Sequence, residues 1–146
     1  MMMMNSLLSG VSGQLLHRLQ VMQNVAARLV TGATKYDRMT PVLRSPHWLP
    51  VQQRIVFKTA VTVYKCLNSL AQPYLTEYYK STTSDVGHRH LRSANTRQLI
   101  IPRTSTSYGD RSFAVHPVIW NHLSHDLQST DISLTTFRKK TENISV

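Results

Sequence analysis

The sequence predicts a mainly α-helical protein, a small helical domain with a short β-hairpin near residues 97–115. Apolar residues recur at helical spacing in two long segments, within residues 11–30 and again within 50–69. Between and after these segments, prolines stand where short helices begin and where long ones must end. The length of 146 residues suits one domain or two very small ones.

The first long helix is predicted from about Val11 to Val30. Its apolar residues are spaced four, three, four and three, and therefore share one face: Leu15, Leu19, Met22, Ala26 and Leu29. We expect this stripe to pack against neighbouring helices, because the pattern is too short for a dimerising coiled coil. Gly32 suits the left-handed residue that commonly ends a helix.

The second long helix is predicted from Pro50 to about Ser69, after a connection that prolines keep free of long helices. Its apolar stripe consists of Val56, Ala60, Val63 and Leu67. Trp48 and Leu49 stand just before the helix, and we expect them to fix its start as a hydrophobic staple does. Cys66 is the only cysteine, so no disulfide forms within the chain, and we expect it to pack as a small apolar side chain.

The second half of the chain is predicted to contain short elements. One helix is expected to begin at Pro73, another to follow Pro117, and a last one to be capped by Ser133. Residues 99–101 form the only good strand candidate, and the hairpin would pair them with residues 108–115.

Composition divides the chain into an irregular start (1–10), a helical segment (11–80), a loop (81–87) and a basic mixed segment (88–146). No run approaches the roughly 20 apolar residues that span a bilayer, and the start lacks the pattern of a signal peptide. We therefore expect an intracellular protein without membrane contact, in the nucleus or the cytoplasm.

The charge balance favours a polyanionic partner. Seventeen lysines and arginines stand against seven acids, which gives a net charge of +10. Nucleic acid is the partner that such an excess favours, and the alternative is an ordinary solvated basic surface. Positive charge is densest between residues 88 and 111. Tyr108 lies within this stretch and Phe113 two residues after it, and both rings could stack on unpaired bases.

The candidate nucleic-acid-binding residues form two groups. The first group lies in the basic mixed segment: Arg89, Arg92, Arg97, Arg103 and Arg111. The second group is spaced four and seven along the second long helix, which places it on one side: Arg54, Lys58 and Lys65. For this second group an ordinary solvated helix face is the alternative.

Catalytic and metal-binding patterns are missing from the sequence. The histidines form only two close pairs, His88 with His90 and His122 with His125, and neither has the spacing of a metal site. The seven acids are scattered singly, whereas two-metal nucleotidyl transfer needs clustered carboxylates. There is no glycine-rich phosphate loop and no nucleophile elbow. We expect a non-enzyme without metal or cofactor.

Short motifs in a fixed order give the chain a family resemblance. The first is Leu-Gln-Val-Met-Gln-Asn-Val-Ala-Ala-Arg-Leu at residues 19–29. Further motifs follow at residues 47–51, 54–58, 64–67, 73–75, 91–94, 102–104, 109–113, 117 and 120–121. With these motifs the chain resembles the C-terminal segment of the polyproteins of non-LTR (LINE-type), jockey-like retrotransposons, over nearly all of its length after Met4.

The resemblance implies a fragment of a larger polyprotein, downstream of the reverse transcriptase palm and at or beyond the thumb. The Tyr-Ala-Asp-Asp-type catalytic motif and the endonuclease acids of the family have no counterpart here. Two departures are small: His116-Pro117 replaces the usual Gly-Pro, and Ser124 replaces the proline of the Asn-x-Leu-Pro turn. The remainder of the reverse transcriptase is an implied partner.

Three functional interpretations stay open. The leading one is a non-catalytic segment that helps a reverse transcriptase to bind RNA or DNA. The rival is a structural module that packs on the polymerase thumb, and its mark would be that the apolar stripes of both long helices remain exposed and that the isolated chain aggregates. The third is a non-functional product of a decayed element.

Overall fold

The computed structural model describes residues 8, 10–81, 97–106 and 108–144, and these residues are mainly helical. The α-helices in these ranges are α1 (Gly13–Thr31), α2 (Met39–Arg44), α3 (Val51–Leu67), α4 (Pro73–Thr76), α5 (Pro117–Asn121), α6 (His125–Gln128) and α7 (Leu134–Ile144). Two 3-10 helices, Gly109–Arg111 and Phe113–Val115, precede α5. The prediction of a mainly α fold is confirmed.

The ends of two helices follow the predicted chemistry. Gly32 has the left-handed conformation, with φ of 69°, and its N–H donates to the carbonyl of Arg28. Ser133 precedes α7, and its hydroxyl accepts a hydrogen bond of 3.3 Å from the N–H of Thr136. Both residues therefore end or begin a helix as the sequence indicates.

Helix α3 is the centre of the packing. It contacts α1, α4, α5 and α7. Its predicted apolar stripe is inside the protein, with Ala60 and Val63 fully buried, and Ile55, Tyr64 and Cys66 extend the buried surface around most of the helix. Such a helix is hydrophobic on most sides because it has neighbours on most sides.

An aromatic stack joins α3 to α5 and α7. The ring of Phe137 lies 4.5 Å from that of Tyr64 and 6.0 Å from that of Trp120, both in stacked geometry. Trp120 and Phe137 have no exposed surface. The indole N–H of Trp120 donates to the carbonyl of Arg97 at 2.7 Å, so the one polar atom of this ring is satisfied inside the core.

The predicted β-hairpin at residues 97–115 is wrong. Among the described residues, β-pairing is limited to an isolated antiparallel bridge between Ser81 and Leu99. The N–H and carbonyl of Leu99 are instead held by the side-chain amide of Asn121, at 3.0 and 2.9 Å. Because α5 satisfies these backbone groups, no second strand is required.

The predicted second strand folds into a compact turn followed by 3-10 helices. The N–H of Asp110 donates to the carbonyl of Thr106, and the hydroxyl of Thr104 donates to the carboxylate of Asp110. A Cβ atom on Gly109 would lie 2.9 Å from Cβ of Thr104, so this close approach requires glycine. Local side-chain hydrogen bonds thus outcompete strand pairing.

Helix α1 forms as predicted, but the prediction that its apolar stripe packs against neighbouring helices is wrong. Leu15 is 47% exposed, Met22 70% and Leu29 81%. The side of the helix next to this stripe faces the protein, with Ala27 buried and Gln23 half-buried. The helix is therefore rotated away from the usual arrangement, in which the apolar face is buried.

Polar contacts join α1 to the start of α3 in this orientation. The side-chain oxygen of Gln20 accepts a hydrogen bond of 2.8 Å from the N–H of Val51, at the first residue of α3. The side-chain amide of Gln23 donates to the carbonyl of Leu49 at 2.9 Å. The start of α3 is thus fixed by amides of α1, where the sequence predicted an apolar staple.

The amide clasp on Leu99 gives a stability prediction. We expect Asn121→Ala to lower the free energy of unfolding by about 1–3 kcal/mol, because two part-buried backbone groups would lose their partner. Urea denaturation measures the change. The control is Gln14→Ala on the exposed side of α1, which should alter stability by less than about 0.5 kcal/mol. Wild-type stability in Asn121→Ala would contradict the proposed role of the clasp.

Candidate nucleic-acid interface

The second group of predicted residues forms a continuous strip on α3, which we call the α3 ridge: Arg54, Lys58 and Lys65. Positions 54, 58 and 65 lie within about 40° of one another around a helix of 3.6 residues per turn. Arg54 and Lys58 are exposed and Lys65 is half-buried. Most buried residues of α3 lie on its other sides, so the ridge faces solvent, as Gln52 does at the first turn of the helix.

The charge of the ridge is not offset along its own helix. The sequence of α3 contains no aspartate or glutamate. From Arg54 to Lys65 the helix rises by about 16 Å, which matches the length of a few nucleotides of a single strand. Phosphate groups along a strand would find successive cations at this surface.

The first group of predicted residues is distributed unevenly. Arg103 is exposed in the segment after Pro102. Arg97 is half-buried, and its Nη1 atom is enclosed without a hydrogen-bond partner among the described residues. Arg111 lies in the 3-10 helix Gly109–Arg111, and its side chain is outside the described part, as are Arg89 and Arg92 altogether. Among the described side chains, the structure therefore brings together the second group, and most of the first group lies outside the described part.

The aromatic residues of the basic segment separate into two environments. Phe113 is half-buried and meets Tyr79 edge-on, with ring centroids 5.3 Å apart. Its ring also lies 4.8 Å from the imidazole of His116. Tyr108 is 81% exposed. Phe113 thus packs against the core, and of the two rings Tyr108 is the one that solvent reaches.

A surface groove was not predicted from the sequence. It has a volume of about 840 Å³ and lies between α1, α2 and the start of α3; we call it the Trp48 groove. Its lining includes Trp48, His17, Arg44, His47, Gln20, Gln52, Gln53 and Glu142. The signal that could have found it is the dense run of Arg44, His47 and Trp48 before α3. The residues that α1 contributes to the groove depend on how the helix is rotated against the protein, and the periodicity of its apolar residues does not reveal this rotation.

Two kinds of site are not found in the described ranges. Over residues 10–81, 97–106 and 108–144, no three side chains of the histidine, cysteine, aspartate or glutamate type come together as metal ligands. Within the same part of the chain, no helix is long and apolar enough to cross a membrane.

Cys66 is confirmed as a small buried side chain of the core. Only 1% of its surface is exposed, and burial raises the pKa of its thiol from 9.0 to about 11. Burial also raises the pKa of Tyr79, and the nearby Cys66 adds to that rise. A thiol held protonated in this way is a poor nucleophile.

Comparison with family models, with curated proteins and with solved structures finds no match to this chain.

The raised pKa of Cys66 predicts a loss of stability at alkaline pH. The unfolded thiol ionises near pH 9.0 and the folded one near 11, so the unfolded state loses its proton first. Stability is unaffected below pH 9 and should fall by up to about 3 kcal/mol as the pH rises towards 11. Denaturation midpoints across this range measure the decline. Cys66→Ala should show a shallower decline, and equal slopes would contradict the assignment.

Proposed function

We propose that this chain is a non-catalytic C-terminal segment of a non-LTR retrotransposon reverse transcriptase and that it contributes contacts to RNA or DNA. The ordered motifs along the chain support the origin. The observation that carries the binding role is the α3 ridge, which presents Arg54, Lys58 and Lys65 on one side of a helix without acids.

Electrostatics decides between a binding surface and a solvated one. Binding of a single strand through Z phosphate contacts gives a salt dependence of about −0.7Z on a logarithmic scale. A ridge of three cations would therefore contribute a slope of about −2. A merely solvated face would contribute nothing beyond the effect of the net charge of +10.

The ridge predicts a local charge effect on RNA affinity. The variant Arg54→Gln/Lys58→Gln/Lys65→Gln should bind single-stranded RNA at least tenfold more weakly at low salt, with a salt slope shallower by about 2. Fluorescence anisotropy of a labelled oligoribonucleotide at several salt concentrations measures both quantities.

The matched control removes three exposed cations elsewhere, in Lys35→Gln/Arg38→Gln/Lys80→Gln. Its net charge falls by the same three units, so a generic charge effect would weaken both variants equally. Equal weakening, or no RNA binding by the wild-type chain at low salt, would sink the proposed role of the ridge.

A second candidate function is supported in part by the exposed apolar face of α1. The rival, a structural module that packs on the polymerase thumb, predicts that the apolar stripes of both long helices are exposed. Of these two stripes, that of α1 is exposed, whereas Ala60 and Val63 in that of α3 are fully buried, so the exposure supports this candidate at α1 and not at α3. The exposed apolar residues of α1 are Leu15, Leu19, Val21, Met22, Val25, Leu29 and Val30. An apolar face of this extent marks a protein contact or a risk of aggregation.

The exposed face of α1 predicts the solution behaviour of the isolated chain. Met22→Glu/Leu29→Lys should raise the concentration at which the chain stays monomeric, without lowering its melting temperature, because neither side chain is in the core. Light scattering and thermal denaturation measure the two effects. Val63→Asp, in the core, should unfold the chain and serves as the contrast. A melting temperature lowered by the α1 variant would show that its apolar face is packed.

A further inference from the structure

We propose that the Trp48 groove binds an unpaired nucleobase, with the adjoining phosphate held by Arg44. The inference rests on the proposed function in nucleic-acid binding and assigns a base-binding site to it. The volume of about 840 Å³ lies within the range of small-ligand sites, about 300–1,000 Å³.

Trp48 offers a fixed stacking surface. Trp48 packs against the apolar cluster of Ala27, Val42 and Leu43, and it is half-buried where it lines the groove. Its backbone N–H donates to the carbonyl of Leu43 at 2.8 Å, which holds the residue against α2. An indole that is held in place and lines a groove can stack on any base, because every base has a π-face.

The backbone before Trp48 is constrained as well. His47 has a positive φ of 56°, which non-glycine residues rarely adopt, and its N–H donates to the carbonyl of Arg44 at 2.9 Å. The chain is therefore turned sharply at the end of α2, and this turn brings Arg44, His47 and Trp48 to the rim of one groove.

The polar lining suits an anionic ligand with a hydrogen-bonding edge. Gln52 and Gln53 present amides, which can donate to and accept from a base edge. Arg44 and His47 supply donors for a phosphate group. Glu142 is the one acid of the lining.

The groove and the α3 ridge lie on different sides of α3. Gln52 and Gln53 directly precede Arg54, the first residue of the ridge, in the first turn of the helix. At about 100° per residue they lie about 160° and 100° around the helix from Arg54. The groove and the ridge are therefore two separate surfaces, and each is tested by its own variants.

The two tryptophans of the chain allow a direct test. Trp120 is fully buried, so a change of tryptophan fluorescence on binding would report Trp48. Single-stranded oligoriboadenylate should quench this fluorescence, and the quenching should be absent in Trp48→Leu. The variant should also bind this probe about 5- to 100-fold more weakly, the range expected for one stacked base. An abasic ribose-phosphate oligomer of equal length should bind wild type and variant alike.

A second variant keeps the test independent of core packing. Gln52 is exposed, so Gln52→Glu places a carboxylate in the groove without disturbing the core and should weaken oligoriboadenylate binding at least fivefold. Gln14→Glu makes the same charge change on α1 outside the groove and should have little effect. Oligodeoxyadenylate in parallel distinguishes RNA from DNA as the source of the base.

The outcomes separate the inference from the proposed function. Suppose that binding depends on the α3 ridge, causes no quenching and is unchanged in Trp48→Leu and Gln52→Glu. This result would overturn the base-binding site alone. Equal loss of the oligoriboadenylate and the abasic oligomer in Trp48→Leu would overturn it too. No binding of any oligonucleotide would overturn both proposals.

Discussion

The stack of Tyr64, Phe137 and Trp120 is the interaction on which the rest of the fold depends. It joins α3 to two helices that come from the far end of the chain. Each aromatic pair adds about 0.5–1.5 kcal/mol to the burial of its rings. The same tryptophan fixes the extended segment before α5 through the carbonyl of Arg97. Helices pack against most sides of α3, and its cations lie on a side that they leave open.

The second constraint is the amide contact between α1 and the start of α3. Gln20 and Gln23 reach residues 51 and 49, and with this contact formed the apolar stripe of α1 faces outwards. Gln20 also lines the Trp48 groove while it holds Val51. The same contact therefore lies between two surfaces, the exposed apolar face of α1 and the Trp48 groove.

Features that depend on local sequence could be predicted, and features that depend on long-range polar contacts could not. Apolar periodicity predicted helices α1 and α3, and capping residues predicted the end of α1 at Gly32 and the start of α7 at Ser133. The spacing of Arg54, Lys58 and Lys65 predicted that they lie on one side of α3. The orientation of α1 could not be predicted, because an amide at position 20 finds its partner 31 residues away. The prediction of a hairpin failed for a similar reason, because the side chain of Asn121 accepts the hydrogen bond of the Leu99 N–H from 22 residues away. The groove combines residues from four helices, so no single segment predicts it.

The free energies of hydrogen bonding and of apolar burial indicate how α1 could be stabilised further. Two amide hydrogen bonds contribute about 0.5–1.5 kcal/mol each, whereas full burial of a leucine, valine or methionine is worth about 1.5–3 kcal/mol. Seven such side chains on α1 remain partly or largely exposed. The isolated chain thus forgoes more apolar burial than its amide contacts return. A protein surface that covers α1 would recover this free energy without disturbing the amide contacts or the groove behind them. The second candidate function is therefore compatible with nucleic-acid binding, because the two use different sides of the same helices.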